Sequence, residues 1–278
     1  MPREYDAIII GAGPAGCAAA RLLASWGHRT LLLHRPEPDN RTLAESIPPS
    51  AQRVLATLGV LTSMEDAGFL PWLGNMVWWA NADCRIESFM PGQSGYLVDR
   101  RAFDRRLRRL ATESGAHLRT GIVRSVEVPP EIKVEFNGEQ QTLRSAFVLD
   151  CSGRAGVIAR RGMRELLPSP RTVALVGAWR ARDRWPEASD AHTLVASYAD
   201  GWAWSVPTEP GLRFFTVMIE PGLTGLADGS AGDRYVAELA KIPPFRKLLD
   251  PATPAGGPWG ADASLYTSRT FAGPGFLL

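Results

Sequence analysis

Lysine is nearly absent from this sequence: of its 31 basic residues, three are lysines and all the others are arginines. The lysines are Lys133, Lys241 and Lys247. Cysteine is also scarce, with three residues far apart and no CxxC pair, which argues against a disulfide framework and favours free thiols in a reducing compartment. The four histidines show no metal-ligand spacing, so we expect no metal site.

Long hydrophobic runs are missing as well. No segment approaches the ~20 apolar residues that a membrane-spanning helix needs. The longest apolar stretch, Ala7–Ala20, is interrupted by Pro14 and three glycines. Glu4 and Asp6 precede it, where a secretory signal would have basic residues. We therefore expect a cytoplasmic protein without a membrane span.

The charge balance limits the kinds of partner. The formal net charge is only +2, which argues against a nucleic-acid partner. Six arginines do cluster between Arg100 and Arg109, but their spacing on an amphipathic helix indicates a solvated helix face. With 45% hydrophobic residues, the composition is that of an ordinary globular protein.

The N-terminal pattern predicts a strand, a tight turn, a helix and a second strand. Asp6–Ile10 is a short apolar strand, the helix ends at Gly27, and the second strand spans Arg29–Leu33. The turn reads G-x-G-x-x-G, whose glycines allow the tight turn, the approach of backbone to a pyrophosphate and close helix packing. The N-terminus of the helix would face the phosphates. The candidate cofactor-binding residues in this turn are Gly11, Gly13, Pro14, Ala15 and Gly16.

The end of the second strand departs from the usual dinucleotide pattern. An acidic residue that binds the adenosine ribose is expected about 20 residues after the glycines, but His34 and Arg35 stand there. His34 can still hydrogen-bond a hydroxyl group, and Arg35 can pair with a 2′-phosphate. Taken alone, these residues are compatible with an NADP site and equally with two solvated residues at the end of a strand.

The rest of the chain predicts further helices and then an antiparallel sheet. Ser50 is expected to cap one helix, the pair Thr62 and Glu65 a second, and a long helix is expected from Asp99 or Arg100 to Gly115. The predicted strands are Gly121–Val128, Ile132–Phe136, Phe147–Asp150, Thr172–Arg180, Thr193–Ala199, Trp202–Val206 and Arg213–Ile219. Beyond residue 172 no helices separate the strands, and Asp200-Gly201 is a hairpin signal.

Several motifs along the chain resemble one superfamily. Val98-Asp99-Arg100 with Phe103-Asp104 and Leu107 is similar to the VDRxxFDxxL segment of FAD-dependent monooxygenases, and Asp150–Arg154 resembles the segment by which their chain returns to the cofactor. Ala44–Pro48 and Gly201–Pro207 resemble the GES-x-P and WxWxIP segments of flavin-dependent tryptophan halogenases and their relatives. The glycine-rich turn looks like the glutathione-reductase type of FAD site.

This resemblance implies an α/β fold in which a Rossmann-like FAD-binding domain is interleaved with an antiparallel-sheet substrate domain. We expect residues 1–75 and 95–165 to form the FAD-binding domain and residues 76–94 and 166–270 to form the substrate domain. Residues 271–278 would begin a strand that returns to the FAD-binding domain. FAD rather than NADP is the implied cofactor. The implied contacts beyond the glycine-rich turn are His34, Arg35, Ser46, Arg100, Val123 and Asp150.

The resemblance also implies the chemistry. Reduced flavin and oxygen form a C4a-hydroperoxide, whose terminal oxygen passes to an electron-rich substrate, or to a halide in halogenases. The expected substrate is a small aromatic molecule, indole- or phenol-like, or a tryptophan of a peptide or protein. NAD(P)H or a partner flavin reductase would supply the electrons.

No catalytic residue is assigned. Glu45, Trp202 and Trp204 are candidates for the substrate pocket. Trp72, Trp78, Trp79 and Trp179 complete a set of six tryptophans in this part of the chain, and we interpret most of the six as sheet packing.

Two departures from the family pattern qualify this interpretation. Halogenases of this kind carry an active-site lysine a few tens of residues after the GES segment, and the corresponding stretch, Leu73–Ala80, has none. We therefore expect a member that does not halogenate. The chain ends at Leu278 in what looks like the start of a strand, so we expect a fragment that binds FAD weakly. The alternatives are a flavin reductase similar to geranylgeranyl reductases and a non-catalytic nucleotide-binding chain.

Overall fold

The computed structural model describes residues 4–36, 42–81, 83–127, 130–186, 189–224 and 230–278. Val128, expected as the last residue of a strand, lies outside the described residues. The strands are β1 (Tyr5–Ile10), β2 (Thr30–His34), β3 (Ala44–Ile47), β4 (Leu70–Trp72), β5 (Gly74–Trp78), β6 (Arg85–Ser88), β7 (Gly95–Asp99), β8 (His117–Thr120), β9 (Ile122–Glu127), β10 (Glu131–Phe136), β11 (Glu139–Asp150), β12 (Arg164–Leu166), β13 (Val173–Ala181), β14 (His192–Tyr198), β15 (Gly201–Glu209), β16 (Leu212–Ile219), β17 (Ala252–Asp262), β18 (Tyr266–Ser268), β19 (Ala272–Gly273) and β20 (Phe276–Leu277). The helices are α1 (Pro14–Ser25), α2 (Ala51–Thr57), α3 (Leu61–Glu65), α4 (Arg100–Glu113), α5 (Pro221–Thr224), α6 (Ala231–Ala240) and α7 (Pro243–Leu249).

The chain forms two compact units, each assembled from separate segments. Unit 1 comprises Met1–Pro38, Ala102–Leu167 and Tyr266–Leu278. Unit 2 comprises Asp39–Arg101 and Pro168–Leu265. Both units are therefore discontinuous along the sequence.

Unit 1 is built on a sheet with the strand order β19-β20-β11-β1-β2-β8, in which β20, β11, β1, β2 and β8 run parallel. β1 and β2 are nearly continuous apolar runs because both faces of the sheet are covered. On one face, Ile8, Ile10, Leu31 and Leu33 share a buried cluster with apolar residues of β9 and β10. Helix α1 packs on β1 and β2 and buries the small residues Gly16, Cys17 and Ala20.

Strand β11 is three times as long as the predicted strand Phe147–Asp150. Its first half pairs with β10 through a turn at Asn137 and Gly138, and its second half pairs with β1. Residues 139–142 are polar and exposed, so they carry no hydrophobic signal, and the hydrogen bonds to β10 make them a strand.

Unit 2 contains a seven-stranded sheet in the order β17-β13-β16-β15-β14-β5-β6. Its strand pairs are antiparallel except β14 with β5. One face is covered by α6 and α7, whose Tyr235, Leu239 and Phe245 are buried against Leu175 and Phe215.

The other face of this sheet packs against a small sheet with the order β3-β7-β4. Ala44 and Leu97 of the small sheet share a buried cluster with Val176, Val206 and Phe214 of the large one. This burial explains why β3, β4 and β7 belong to unit 2.

Two predicted helix caps are wrong, and one strand had no signal in the sequence. Ser50 precedes α2 without a side-chain cap bond. Helix α3 begins at Leu61 after Val60, so Thr62 lies inside the helix and cannot cap it. Strand β17 is rich in proline and glycine, which an edge strand tolerates, and it pairs with β13 with two register shifts. Within the described ranges, no helix is both long and apolar enough to cross a membrane.

Candidate functional site

Three strands of unit 1 end side by side and bring the predicted cofactor residues to one edge of the sheet. In the parallel register, Ile10 of β1 pairs with Leu33 of β2 and with Asp150 of β11. The glycine-rich turn, the residues after His34 and the segment after Asp150 therefore all begin at this edge. The carboxyl ends of parallel strands are where ligands bind in open α/β sheets.

Packing within unit 1 requires two of the three motif glycines. Gly11 has φ +104°, and a Cβ atom there would overlap the carbonyl oxygen of Cys151 and lie 2.8 Å from Cα of Ser152. A Cβ atom on Gly16 would overlap the carbonyl oxygen of Gly11 and lie 3.3 Å from Cβ of Cys151. These two positions are therefore glycine because α1 packs tightly against the turn and against the end of β11.

The third motif glycine is not required by packing. Gly13 has φ −82°, which any residue adopts, and a Cβ atom there would meet no atom within 4 Å. Gly13 stands at the N-terminal end of α1, where no side chain caps the helix and the first turn contains no acidic residue. An open space beside an uncapped helix N-terminus suits an anionic group such as a pyrophosphate. The residues present thus fit the phosphates of a dinucleotide.

Asp150 organises the segment that follows β11. One carboxylate oxygen accepts hydrogen bonds from the backbone N–H of Ser152 at 3.1 Å and from the Ser152 hydroxyl. The other accepts bonds from the backbone N–H groups of Ile158 at 2.6 Å and Ala159 at 3.3 Å. Both oxygens are thus engaged in shaping residues 151–159, which gives Asp150 a structural role at this edge. A direct contact with a cofactor stays a prediction.

The other unit 1 candidates lie on different strands. His34 is half-buried at the end of β2, and its carbonyl oxygen accepts a bond from Gly121 N–H at 2.9 Å. Arg35 follows it and is exposed. Val123 lies on β9, and its half-buried side chain packs against the core cluster of unit 1.

Burial raises the pKa of the two thiols near the glycine-rich turn. The pKa of Cys17 is raised to about 12 and that of Cys151 to about 11, in each case mainly by burial. The Cys17 thiol donates to the carbonyl oxygen of Ala12 at 3.3 Å. Both side chains are therefore protonated at neutral pH and act as packing groups. Among the residues that the structure describes, no cluster of His, Cys, Asp or Glu could hold a metal ion.

In unit 2, two predicted residues form an ion pair. Arg100 begins α4, and its guanidinium donates to Oε1 of Glu45 at 2.7 Å. The backbone of β3 places Glu45 opposite Val98 of β7, one residue before Asp99 and two before Arg100. The Ser46 hydroxyl lies 2.5 Å from the Thr193 hydroxyl, which ties β3 to β14 of the large sheet.

Trp202 and Trp204 lie on one face of β15, as the period-two alternation predicts. Their rings stack with centroids 5.0 Å apart and an interplanar angle of 28°. The ring of Trp79 lies 6.3 Å from that of Trp202, inclined by 59°. The sequence did not distinguish Trp79 from the other tryptophans, because the pairing of β5 with β14 that brings it to Trp202 is a long-range contact.

Comparison with known proteins identifies the class to which the chain belongs. A model of the family described as FAD binding domain matches residues 4–224, which is most of the chain. The chain therefore belongs to this family of flavoproteins. This confirms the superfamily predicted from the motifs and supports FAD as the cofactor.

Individual relatives and structural neighbours include halogenases and a dihydroxylase. The tryptophan 2-halogenase of Chondromyces crocatus is 28% identical over 291 residues, which cover 100% of this chain and 56% of that protein. The structure of the myxobacterial chondrochloren halogenase CndH matches with a TM-score of 0.89 at 24% identity, covering 99% of this chain and 68% of that one. The peptidyl tryptophan dihydroxylase QhpG matches with a TM-score of 0.75 at 24% identity, covering 99% of this chain and 59% of that one.

At these identities the structural matches establish the fold, and they confirm the predicted α/β architecture. The chain spans about half the length of the curated relatives it matches. The activity of the whole protein is therefore the subject of a proposal.

Proposed function

We propose that this chain belongs to an FAD-dependent monooxygenase that adds oxygen to an electron-rich aromatic substrate and does not halogenate. The observation that carries the proposal is the composition of β5 and its flanks. Residues 73–80 contain two tryptophans and no lysine, although this is where the resembling halogenases carry their active-site amine.

Unit 1 supplies the cofactor site in this proposal. The backbone N–H groups of Ala15 and Gly16 at the start of α1 bind the pyrophosphate, and the bare Cα of Gly13 allows the phosphates to approach. His34 or Arg35, at the end of β2, contacts the adenosine ribose. When bound, FAD supplies the redox chemistry that activates oxygen. The chain's own task is to bind, orient and shield the reacting groups.

Arg100, Glu45 and two tryptophans of the large sheet have separate roles in this proposal. Arg100, held by Glu45 at 2.7 Å, is proposed to bind the flavin through its guanidinium group. Glu45 itself is thereby an orienting residue for Arg100. The face of the large sheet that carries Trp202 and Trp204 offers an aromatic surface for the substrate.

The absence of lysine from residues 73–80 is the reason to propose oxygenation rather than halogenation. A lysine ammonium is a compact hydrogen-bond donor that arginine does not replace in geometry or in basicity. Every lysine of the chain lies at or beyond Lys133, and Lys241 is already engaged with Asp200 at 2.6 Å and Glu238 at 3.0 Å. The proposed chemistry therefore delivers oxygen directly to the substrate.

The relatives support an indole-containing substrate. One relative is named as a halogenase of tryptophan and one as a dihydroxylase of peptidyl tryptophan. We accordingly propose a free indole or phenol, or a tryptophan within a peptide, as the substrate. The electrons come from NAD(P)H or from a partner flavin reductase.

A product assay with isotope-labelled oxygen tests this proposal. The protein, at the length its gene encodes, is supplied with FAD, an independent flavin reductase, NADH, bromide and ¹⁸O₂, with indole, phenol or a tryptophan peptide as substrate. Mass spectrometry is expected to find a product that has gained one ¹⁸O atom and no bromine. A brominated product would overturn the proposal. A parallel reaction contains a prenyl substrate instead of the aromatic one. Two hydrogens added to the prenyl chain, with no oxygen gained by the aromatics, would identify a reductase.

A further inference from the structure

We propose that Trp79 determines substrate specificity: together with Trp202 and Trp204 it forms a row of indole rings that binds the face of a planar aromatic substrate. This inference rests on the proposed function, because it names the residue that would recognise the proposed class of substrate. We call these three residues the tryptophan row.

The geometry of the row is that of aromatic stacking. The centroids of Trp204 and Trp202 lie 5.0 Å apart with nearly parallel rings, and Trp79 follows at 6.3 Å with a tilt of 59°. Aromatic pairs prefer centroid separations of about 4.5–7 Å. The row therefore begins with two side chains on one face of β15 and ends at the ring of Trp79.

Burial decreases along the row. Trp204 is half-buried and packs against the core cluster that contains Val206 and Phe214. Trp202 is 37% exposed and Trp79 is 50% exposed. The two outer members of the row therefore present adjoining indole rings to solvent, where a ligand can reach them.

The backbone after Trp79 is held in an uncommon conformation. Ala80 has φ +65°, a left-handed conformation that is uncommon for a residue other than glycine. Its N–H donates to the Ser197 hydroxyl at 2.9 Å, and Ser197 pairs with Trp202 across β14 and β15. The strained turn is thus anchored to the strand pair that carries the row. Local strain of this kind is concentrated at functional sites.

Packing explains the adjacent tryptophan but not Trp79. Trp78 lies on the opposite face of β5 and packs against the helix-covered cluster that contains Leu194 and Phe245. Trp79 packs against another exposed tryptophan instead. Two neighbouring residues of the same type thus differ in surroundings, and the exposed one is the candidate for a ligand contact.

The chemistry of the row selects flat, electron-rich rings. Indole rings bind aromatic faces through dispersion and offset stacking, and a saturated ring of equal size loses the stacking contribution. A planar indole or phenol fits this requirement, as does a tryptophan side chain of a peptide. Trp79, as the outermost member, would contact the substrate first.

Direct binding measurements test the inference. Indole, phenol and cyclohexanol, the neutral saturated counterpart of phenol, are titrated by calorimetry into the wild-type protein and into Trp79→Ala, Trp79→Phe and Trp26→Ala. Trp26 is the matched control because it is 66% exposed and belongs to unit 1, whereas the row belongs to unit 2. We expect Trp79→Ala to weaken indole and phenol binding about fivefold, the size of one stacking contact, and to leave cyclohexanol binding unchanged. Trp79→Phe should retain most of the affinity, and Trp26→Ala all of it.

The contrary outcomes are distinct. The inference is overturned if wild type does not bind indole, if it binds cyclohexanol as tightly as phenol, or if Trp79→Ala binds indole like wild type. It is also overturned if Trp79 instead mediates self-association, which sedimentation of wild type and Trp79→Ala would detect. Thermal unfolding of Trp79→Ala should match wild type. If it does not, Trp79→Leu, which keeps apolar volume without an aromatic ring, takes its place and is expected to show the same loss of indole affinity. If indole binds through Trp79 but no oxygenated product forms, the proposed function is wrong, and the tryptophan row is still supported as a binding surface for aromatic rings.

Discussion

The carbonyl oxygen of Cys151 occupies the space that a Cβ atom on Gly11 would need. This contact joins the glycine-rich turn after β1 to the segment after β11. It follows from the parallel pairing of the two strands, in which Ile10 lies beside Asp150. The glycine-rich turn is therefore held in place by packing within unit 1.

Gly11→Ala should destabilise unit 1 by more than backbone strain alone. The left-handed φ of +104° costs a non-glycine residue about 1–3 kcal/mol, and the overlap with Cys151 adds to this. Gly27→Ala is the control, because Gly27 has φ +88° but a Cβ atom there would meet nothing within 4 Å. Urea unfolding should show a clearly larger loss for Gly11→Ala. Equal losses of unfolding free energy in the two variants would mean that the Cys151 contact does not restrict residue 11.

Arg100→Gln should lower FAD affinity about tenfold, the value of one hydrogen bond from a charged group. Arg109→Gln, on the exposed side of the same helix, should leave the affinity unchanged. The ion pair with Glu45 is partly exposed, so its loss should cost less than about 1 kcal/mol of stability. Fluorescence titration with FAD measures the affinity, and thermal unfolding measures the loss of stability. Unchanged affinity in Arg100→Gln would remove this residue from the flavin site.

Much of unit 1 could be predicted from the sequence because its signals are local. The strand, turn and helix from β1 to β2 follow from an apolar run, three glycines and Pro14. The small sheet could not be assigned to its unit, since its place depends on burial of Ala44 and Leu97 against distant strands. For the same reason the sequence did not reveal the contact between Trp79 and Trp202.

Glu238→Ala should destabilise unit 2 by roughly 2–3 kcal/mol. The Glu238 carboxylate is fully buried, pairs with Arg234 at 2.9 Å and Lys241 at 3.0 Å, and accepts a hydrogen bond from the Tyr198 hydroxyl at 2.9 Å. Its removal leaves the Tyr198 hydroxyl without its acceptor and Arg234 without this ion pair, whereas Lys241 keeps its contact with Asp200.

Glu113→Ala is the matched control for this change. Glu113 forms an exposed pair with Arg109 at the same i,i+4 spacing, and its loss should cost at most ~0.5 kcal/mol. Chemical unfolding compares the two variants. A similar cost for both would contradict the structural role given to Glu238.

Thiol labelling should distinguish Cys84 from the other two cysteines. Cys84 is exposed, and desolvation raises its pKa above the usual value, whereas deeper burial raises the pKa of Cys17 to about 12 and of Cys151 to about 11. A disulfide reagent at pH 8 should therefore label one thiol quickly, and Cys84→Ser should abolish that phase. The slow labelling of Cys151 should accelerate about tenfold per pH unit until pH approaches 11, because only the thiolate reacts. Fast labelling of a second thiol at pH 8 would contradict the burial of Cys17 and Cys151.

FAD titration of Gly13→Ala tests the central claim most directly, because a Cβ atom at Gly13 meets no protein atom within 4 Å and can obstruct only a ligand. We predict a thermal unfolding transition like that of wild type and an FAD affinity reduced by at least about tenfold, the equivalent of ~1.4 kcal/mol of lost phosphate contacts. Wild-type affinity in Gly13→Ala would show that the open space beside the start of α1 is not where the cofactor's phosphates bind.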